Sequence, residues 1–455
     1  MKRIITLTMC LSLVMSAFSQ DIKGTWYGLL DVSVIKLRLV FHIEERDGVY
    51  SATMDSPDQK ANGMPTTSTT FENQQLQIKI ANIDATFEGM LQNDTVKGTF
   101  TQRGQAFPLL LTRNEIAAAR RPQEPKPPYP YKSENVQFEN KQAGIALVGT
   151  LTLPKEGKNF PVAVLVTGSG PQNRDEELLG HKPFLVLSDY LTRNGIAVLR
   201  YDDRGVAESG GKYATSNLDD FTADALAAVN YLKTRKEINA EKIGIIGHSE
   251  GGTIAFLLAS EKNNRLAYIV SMAGMAIPGD SLLRMQRYLT SNKMGVSDTQ
   301  IEQNEAILDI INNIIKKYSD NSILQNTDKL YEEAFPDSLK EKGVTKQAFQ
   351  QGIKQMMNPE FKSLMNCNPS EALTKIKCPL LALNGEKDLQ VPADANLNRV
   401  KALVKGSVTI KKYPDLNHLF QHCTTGLPTE YGNIEETLSP EVLSDIAIWI
   451  KQIVK

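Results

Sequence analysis

The chain has 455 residues, 41% of them apolar, enough to bury more than one core and too apolar for a disordered polypeptide. Its 51 Lys and Arg stand against 52 Asp and Glu, a formal charge of −1 with the signs mixed along the chain. That balance argues against a nucleic-acid or anionic-membrane partner, and no apolar stretch beyond the N-terminus could contribute to a transmembrane bundle.

Met1-Lys2-Arg3 leads into an apolar run, residues 4–14, and then into Ser16-Ala17-Phe18-Ser19-Gln20. That order reads as a secretory signal, residues 1–19, cut before Gln20, and predicts export to the periplasm or beyond the cell. Cys10 lies inside the run and follows Met9, where a lipobox needs a small residue. The remaining Cys367, Cys378 and Cys423 are too few for a disulfide scaffold, and Cys367 and Cys378 are expected to stay unpaired.

Residues 20–113 read as short strands. Leu37, Leu39, Phe41 and Ile43 alternate with polar neighbours, Asp47-Gly48 supplies a turn, and Leu76, Ile78 and Ile80 repeat the alternation. An antiparallel sheet or small barrel with an accessory role is expected. His42 falls on its polar face, with no cluster of ligating residues beside it. Residues 114–131 contain Arg121-Pro122-Gln123-Glu124-Pro125-Lys126-Pro127-Pro128-Tyr129-Pro130, which favours an extended spacer between domains.

From residue 132 to 455 strands alternate with helices, the pattern of a mostly parallel sheet. A hairpin over 136–153 is followed by apolar runs at 162–166, 196–201, 243–246, 268–272, 380–383 and 408–413, with a last helix over 440–453. Between the fourth and fifth runs, residues 276–373 have helical periodicity, with Ile307, Ile311, Ile314 and Tyr318 on one face. This stretch is too long for a loop and reads as a helical cap inserted between two strands.

Gly247-His248-Ser249-Glu250-Gly251 is a G-x-S-x-G pentapeptide, a pattern that is weak alone and gains meaning from its setting. A buried strand runs into it and an apolar helix runs out, so Ser249 is expected on a sharp turn above the sheet edge, with glycines where a Cβ would collide. The helix N-terminus presents the Glu250 N–H to a developing oxyanion.

A serine hydroxyl needs a base, and the base needs a carboxylate. Only five histidines are present. Asp388 and His418 follow the strands at 380–383 and 408–413, at the carboxyl ends where open α/β sheets place their sites, and the order Ser, Asp, His is the one expected of an elbow serine. Glu386 and Asp394 compete with Asp388, and His422 competes with His418. His248 is read as packing or hydrogen-bonding at the turn, and His181 as lining the cleft entrance.

The second oxyanion amide is expected from Thr167-Gly168-Ser169-Gly170-Pro171-Gln172: Ser169 first, Gly170 second. A dinucleotide-binding loop is excluded there by Pro171 and Asn173. Arg174, Asp175 and Glu176 suit either a polar substrate group or a salt-bridged surface loop. With no H-E-x-x-H and no paired-cysteine motif, no metal or cofactor is expected.

Three motifs now stand in register: Gly247-His248-Ser249-Glu250-Gly251-Gly252, Thr167 through Asp175, and Tyr201-Asp202-Asp203-Arg204-Gly205-Val206-Ala207-Glu208-Ser209. Together they resemble the α/β-hydrolase superfamily and, within it, secreted bacterial esterases of the EstD type, with similarity to serine aminopeptidases and prolyl oligopeptidases. The resemblance covers residues 132–455. It implies an α/β-hydrolase fold with a helical cap, and a Ser249, Asp388, His418 triad that hydrolyses short- to medium-chain carboxylic esters through an acyl-serine. Two departures are Ala207, where many relatives carry glycine, and Thr167-Gly168 in place of a His-Gly pair. Met275, Met285, Met356, Met357 and Met365 belong either to an acyl pocket or to the cap core.

A serine peptidase or amidase is the alternative, with Glu208, Asp203 or Glu176 fixing a substrate amine. A catalytically inert envelope- or glycan-binding protein is a third reading. The expected partner is a small-molecule ester.

Overall fold

The computed structural model describes residues 21–32, 36–59, 61–117, 120–317, 326–341 and 343–455. The signal read over residues 1–19, and Tyr318, lie outside them. The chain divides into two compact units, Met1–Ala118 and Ala119–Lys455.

In the first unit nine strands form one antiparallel sheet: β1 (Gly24–Asp31), β2 (Lys36–Arg46), β3 (Val49–Ser56), β4 (Ala61–Pro65), β5 (Ser68–Glu72), β6 (Gln75–Ile80), β7 (Ala85–Gln92), β8 (Thr95–Gln102) and β9 (Gln105–Thr112). Period-two alternation selects the inner face, so Leu37, Leu39, Phe41 and Ile43 of β2 are buried with Trp26, Phe87 and Phe100. Asp47 and Gly48 both take positive φ, 52° and 77°, which matches a tight turn to the strand twist. The sheet runs β4-β3-β2-β1-β9-β8-β7-β6-β5, so its two end strands are consecutive in the chain. The link between them bonds to both sides: the Thr66 amide donates to the Ala52 carbonyl (3.1 Å) and the Thr67 amide to that of Lys79 (2.6 Å).

The second unit holds β10 (Lys132–Asn140), β11 (Ile145–Leu153), β12 (Phe160–Val166), β13 (Ala197–Tyr201), β14 (Ile238–His248), β15 (Tyr268–Met272), β16 (Leu380–Gly385) and β17 (Val408–Tyr413). Their order is β10-β11-β13-β12-β14-β15-β16-β17. The β10–β11 and β11–β13 pairs are antiparallel and the rest parallel. Along β12, Val162, Val164 and Val166 face one core, shared with helices Leu218–Leu232 and Glu250–Ser260. Ala163 and Leu165 face the other, shared with Pro183–Arg193 and Pro440–Ile453. Burial on both faces is why these strands read as unbroken apolar runs. This is an α/β-hydrolase sheet, preceded by an all-β domain.

The stretch between β15 and β16 is helical, from Gly279–Lys293 through Asp298–Lys317, Lys346–Met356 and Pro359–Asn366 to Ser370–Lys375. It has its own apolar cluster of Ile311, Ile315, Leu330, Phe349 and Ile353. Ile307 and Ile314 pack against that cluster, as their spacing predicts.

The proline segment departs from the expected spacer, because from residue 120 on it is bonded to the second unit. The Arg121 guanidinium donates to the carbonyls of Leu179 (3.1 Å), Gly180 (3.1 Å), Gly432 (2.8 Å) and Ile434 (3.0 Å). The Gln123 side chain accepts from the Thr437 amide (2.6 Å) and donates to the Leu438 carbonyl (2.7 Å). The segment opens with a turn, the Glu124 amide donating to the Arg121 carbonyl (3.2 Å), and two side chains fasten it. Replacing Arg121 by Ala strands several carbonyls at once. Arg121→Ala should lower the stability of the second unit by about 3 kcal/mol in urea unfolding, and a midpoint equal to that of wild type would contradict this strap.

Candidate active site

β14 ends at His248 and the helix Glu250–Ser260 begins two residues later, so Ser249 alone makes the turn. Its backbone has φ 52° and ψ −118°, a sparsely populated combination that costs about 1–3 kcal/mol and is sustained only by surrounding structure. The Ser249 amide donates to the Met272 carbonyl (2.8 Å), tying the turn to β15. A Cβ on Gly251 would lie 2.1 Å from the Val166 carbonyl oxygen, so no other residue lets the helix approach the end of β12 so closely.

Asp388 follows β16 and is buried. One carboxylate oxygen accepts the amides of Gln390 and Val391, each at 2.8 Å. The other lies 2.8 Å from His418 Nδ1, on the loop after β17. An ionised carboxylate only accepts, so Nδ1 carries the proton and Nε2 keeps its lone pair. The rival residues point elsewhere. Glu386 and Asp394 both bind Lys412 at the surface, and exposed His422 binds Glu436.

The loop after β12 is held by acids that the sequence reading had scattered. The Asp202 carboxylate binds Arg174 (2.6 Å), and Arg174 also reaches Glu208. Asp203 accepts the Thr167 hydroxyl (2.8 Å) and the Gln172 amide (2.9 Å). Burial lifts its carboxyl to about 8 in spite of those two donors. Asp175 pairs with Arg200, and Ala207 takes φ 46°, in the left-handed region that favours glycine. Glu208, Asp203 and Glu176 are thus engaged within the loops, which corrects their reading as groups for a substrate amine, and Arg174, Asp175 and Glu176 serve internal pairing.

Glu176 is buried against His248: its Oε1 lies 2.9 Å from Nδ1 and also accepts the Gly168 amide (2.8 Å). His248 Nε2 lies 3.0 Å from the His418 carbonyl, and the two imidazole rings stand 4.8 Å apart, which brings His418 beside the elbow. Two places down the loop, the Gly170 amide donates to Glu360 of the cap (2.7 Å). Glu250 is buried with Oε2 unpartnered, and burial holds its carboxyl well above the usual range, with Glu360 and Asp203 adding to the effect. Neither the Glu176–His248 pair nor Glu360 was found from sequence. The G-H-S spelling of the elbow was the single available hint.

A cleft of about 1340 Å³ opens over Ser249, Ser169 and Gly170 and runs beneath the cap helices Gly279–Lys293 and Pro359–Asn366. Leu282, Phe361, Leu364, Met365 and Val391 form its apolar lining, and Met356 also reaches it. Met275 instead packs in the sheet core. Cys367, Cys378 and Cys423 are free thiols. Among the described residues no cluster of His, Cys, Asp and Glu is arranged to hold a metal ion, and no helix is long and apolar enough to cross a membrane.

The family model of Hydrolase_4, the serine aminopeptidase family S33, matches residues 183–422, more than half of the chain. The chain belongs to this family. The matched span of the S33 hydrolase contains Ser249, Asp388 and His418. Among curated proteins it is similar to Esterase EstD of Thermotoga maritima, 27% identical over 320 residues that cover 69% of this chain and 68% of that protein. It is also similar to the bifunctional esterase/perhydrolase DCH of Acinetobacter calcoaceticus, 24% identical over 261 residues covering 56% of this chain and 84% of that one. Among solved structures, an esterase of Pyrococcus furiosus aligns with 75% of the chain and 100% of its own at 15% identity and a TM-score of 0.43.

His181 differs from its expected place at the cleft entrance. It is fully buried, with Nδ1 2.9 Å from the Thr437 hydroxyl and Nε2 2.9 Å from the Tyr431 carbonyl, partners that suit a neutral ring. Burial, helped by the charge of Arg121, holds it down at about 4 from an ordinary 6.5. Between those values the unfolded chain takes up a proton that the native state refuses. The stabilisation is therefore complete above pH 6.5 and is lost as pH falls toward 4, by roughly 3 kcal/mol. In urea unfolding at about pH 7 and about pH 4.5, His181→Gln should lose less stability than wild type, and equal losses would contradict the assignment.

Proposed function

We propose that this S33 hydrolase is a serine esterase that cleaves carboxylic esters of short- to medium-chain acids through an acyl-serine. The observation that carries the reading is the 2.8 Å pair of Asp388 and His418 beside the strained turn of Ser249. With Nδ1 protonated toward Asp388, His418 Nε2 takes the Ser249 proton as the hydroxyl attacks the ester carbonyl. The same imidazole then protonates the departing alcohol, and water repeats the sequence to release the acid. The oxyanion is stabilised by the Glu250 amide and by that of Ser169, whose neighbours Gly168 and Gly170 already donate to carboxylates. The apolar lining beside Ser249 suits an acyl chain, and the named esterases among the relatives support the same bond. The sequence of residues 4–14 supports export.

A peptidase or amidase reading draws on one observation. Glu360 lines the cleft with Ser249, and while its Oε1 accepts the Gly170 amide, an ionised carboxylate retains further acceptor sites for a substrate amine. Initial rates on short-chain nitrophenyl esters and on aminoacyl nitroanilides separate the two. Ester kcat/KM should exceed that for anilides by at least about 100-fold, and Ser249→Ala should lose about 10⁴-fold or more in kcat on the ester. Faster anilide turnover would replace the esterase reading by the peptidase one.

A further inference from the structure

The mechanism leaves a pair of buried ionisable groups beside the elbow without a role. Glu176 and His248 sit among Phe184, Leu187, Met272, Phe420 and Leu438, with side chains only 5% and 8% exposed. Their hydrogen bonds are those an ion pair makes. The His418 carbonyl can only accept, so His248 Nε2 carries a hydrogen, and the Glu176 carboxylate takes a second from Nδ1. His248 is then an imidazolium. Burial alone would push its proton off, but the Glu176 carboxylate and the His418 carbonyl outweigh that, and its affinity for the proton is raised. The ionisable residues that face it come from three loops: Glu176 after β12, Asp388 after β16 and His418, through its backbone carbonyl and its ring, after β17.

We infer that Glu176 and His248 are positioning residues, a second carboxylate–imidazole pair that grips the reacting groups from two sides. Through Gly168, Glu176 fixes the loop carrying the Ser169 amide. A Cβ on Gly168 would come within 3.2 Å of the Ser249 Cβ and 3.4 Å of Glu176 Oε1, so the loop sits as near the nucleophile as a backbone can. Through its carbonyl, His418 is fixed by His248, while Asp388 holds its ring. The pair also sets a charge. The His248 ring stands 4.8 Å from the His418 ring, so a charge held there acts on the base at close range. This inference rests on the serine-hydrolase reading of Ser249 and His418.

The test uses the full chain and a fluorophosphonate probe, whose reaction with Ser249 requires the base but not the natural substrate. Glu176→Gln and His248→Gln keep hydrogen-bonding length and remove the charge pair. Each should slow phosphonylation by about 10- to 100-fold per reactive site. Each should also move the acid limb of the pH–rate profile upward by about half a unit or more, since His418 loses a neighbouring cation. Glu176→Asp, which restores the charge, should return the limb toward wild type. Rates and midpoints unchanged from wild type, or a loss confined to thermal stability and the fraction of reactive sites, would reduce the pair to a structural role and overturn the inference. Labelling that persists in Ser249→Ala would instead overturn the parent reading.

Discussion

Everything in the site hangs on one close approach, the passage of the helix after Ser249 across the carbonyl end of β12. With no room for a Cβ on Gly251 beside the Val166 carbonyl, or on Gly247 beside the Gly251 carbonyl, the chain cannot relax, and Ser249 is held at φ 52° and ψ −118°. A strain of order 1–3 kcal/mol is offset by the sheet, since the Ser249 amide is bonded to β15 and the strands on either side are buried on both faces. The turn leaves Ser249 lining the cleft at the start of a helix.

A second theme is how the same residue type is put to three uses by burial and partners. His181 is neutral, since its neighbours are a hydroxyl and a carbonyl and Arg121 is close. His248 holds its proton more firmly than usual, against the pull of burial, since a buried carboxylate faces one nitrogen and a carbonyl the other. His418 is held in one tautomer by Asp388, whose remaining oxygen is saturated by two backbone amides. The acids behave similarly. Asp202 and Asp203 look like a single motif in the sequence, yet one neutralises Arg174 while the other orders the turn at Thr167 and Gln172.

The parts of this architecture that are written locally were legible from the residues. Period-two alternation placed β2 and β6, continuous apolar runs placed the parallel strands, and the G-x-S-x-G spelling between a strand and a helix placed the elbow. Asp388 and His418 were also legible, because strand ends mark where such groups must stand. What escaped were contacts between residues distant in sequence. Gly170 and Glu360 are separated by 190 positions, and Arg121 and Ile434 by 313, so neither periodicity nor a motif carries them. The proline segment misled for a related reason: composition favours an extended spacer, but does not show what lies alongside it. His181 misled because a lone histidine in a loop says nothing of whether the loop folds inward.

The account stands or falls on a covalent acyl group at Ser249, formed with His418 as base. An activated nitrophenyl ester, whose leaving group needs no proton, can acylate Ser249 slowly without the base, whereas deacylation by water needs the imidazole, so a variant without His418 should accumulate the acyl-serine. The direct measurement is peptide mass spectrometry of wild type and His418→Ala, quenched in acid after mixing with excess nitrophenyl ester. The account predicts an adduct of the acyl mass on the peptide containing Ser249, persisting far longer in the variant than in wild type. Turnover by wild type with the acyl group on another residue, or with none on Ser249 at any time, would contradict it.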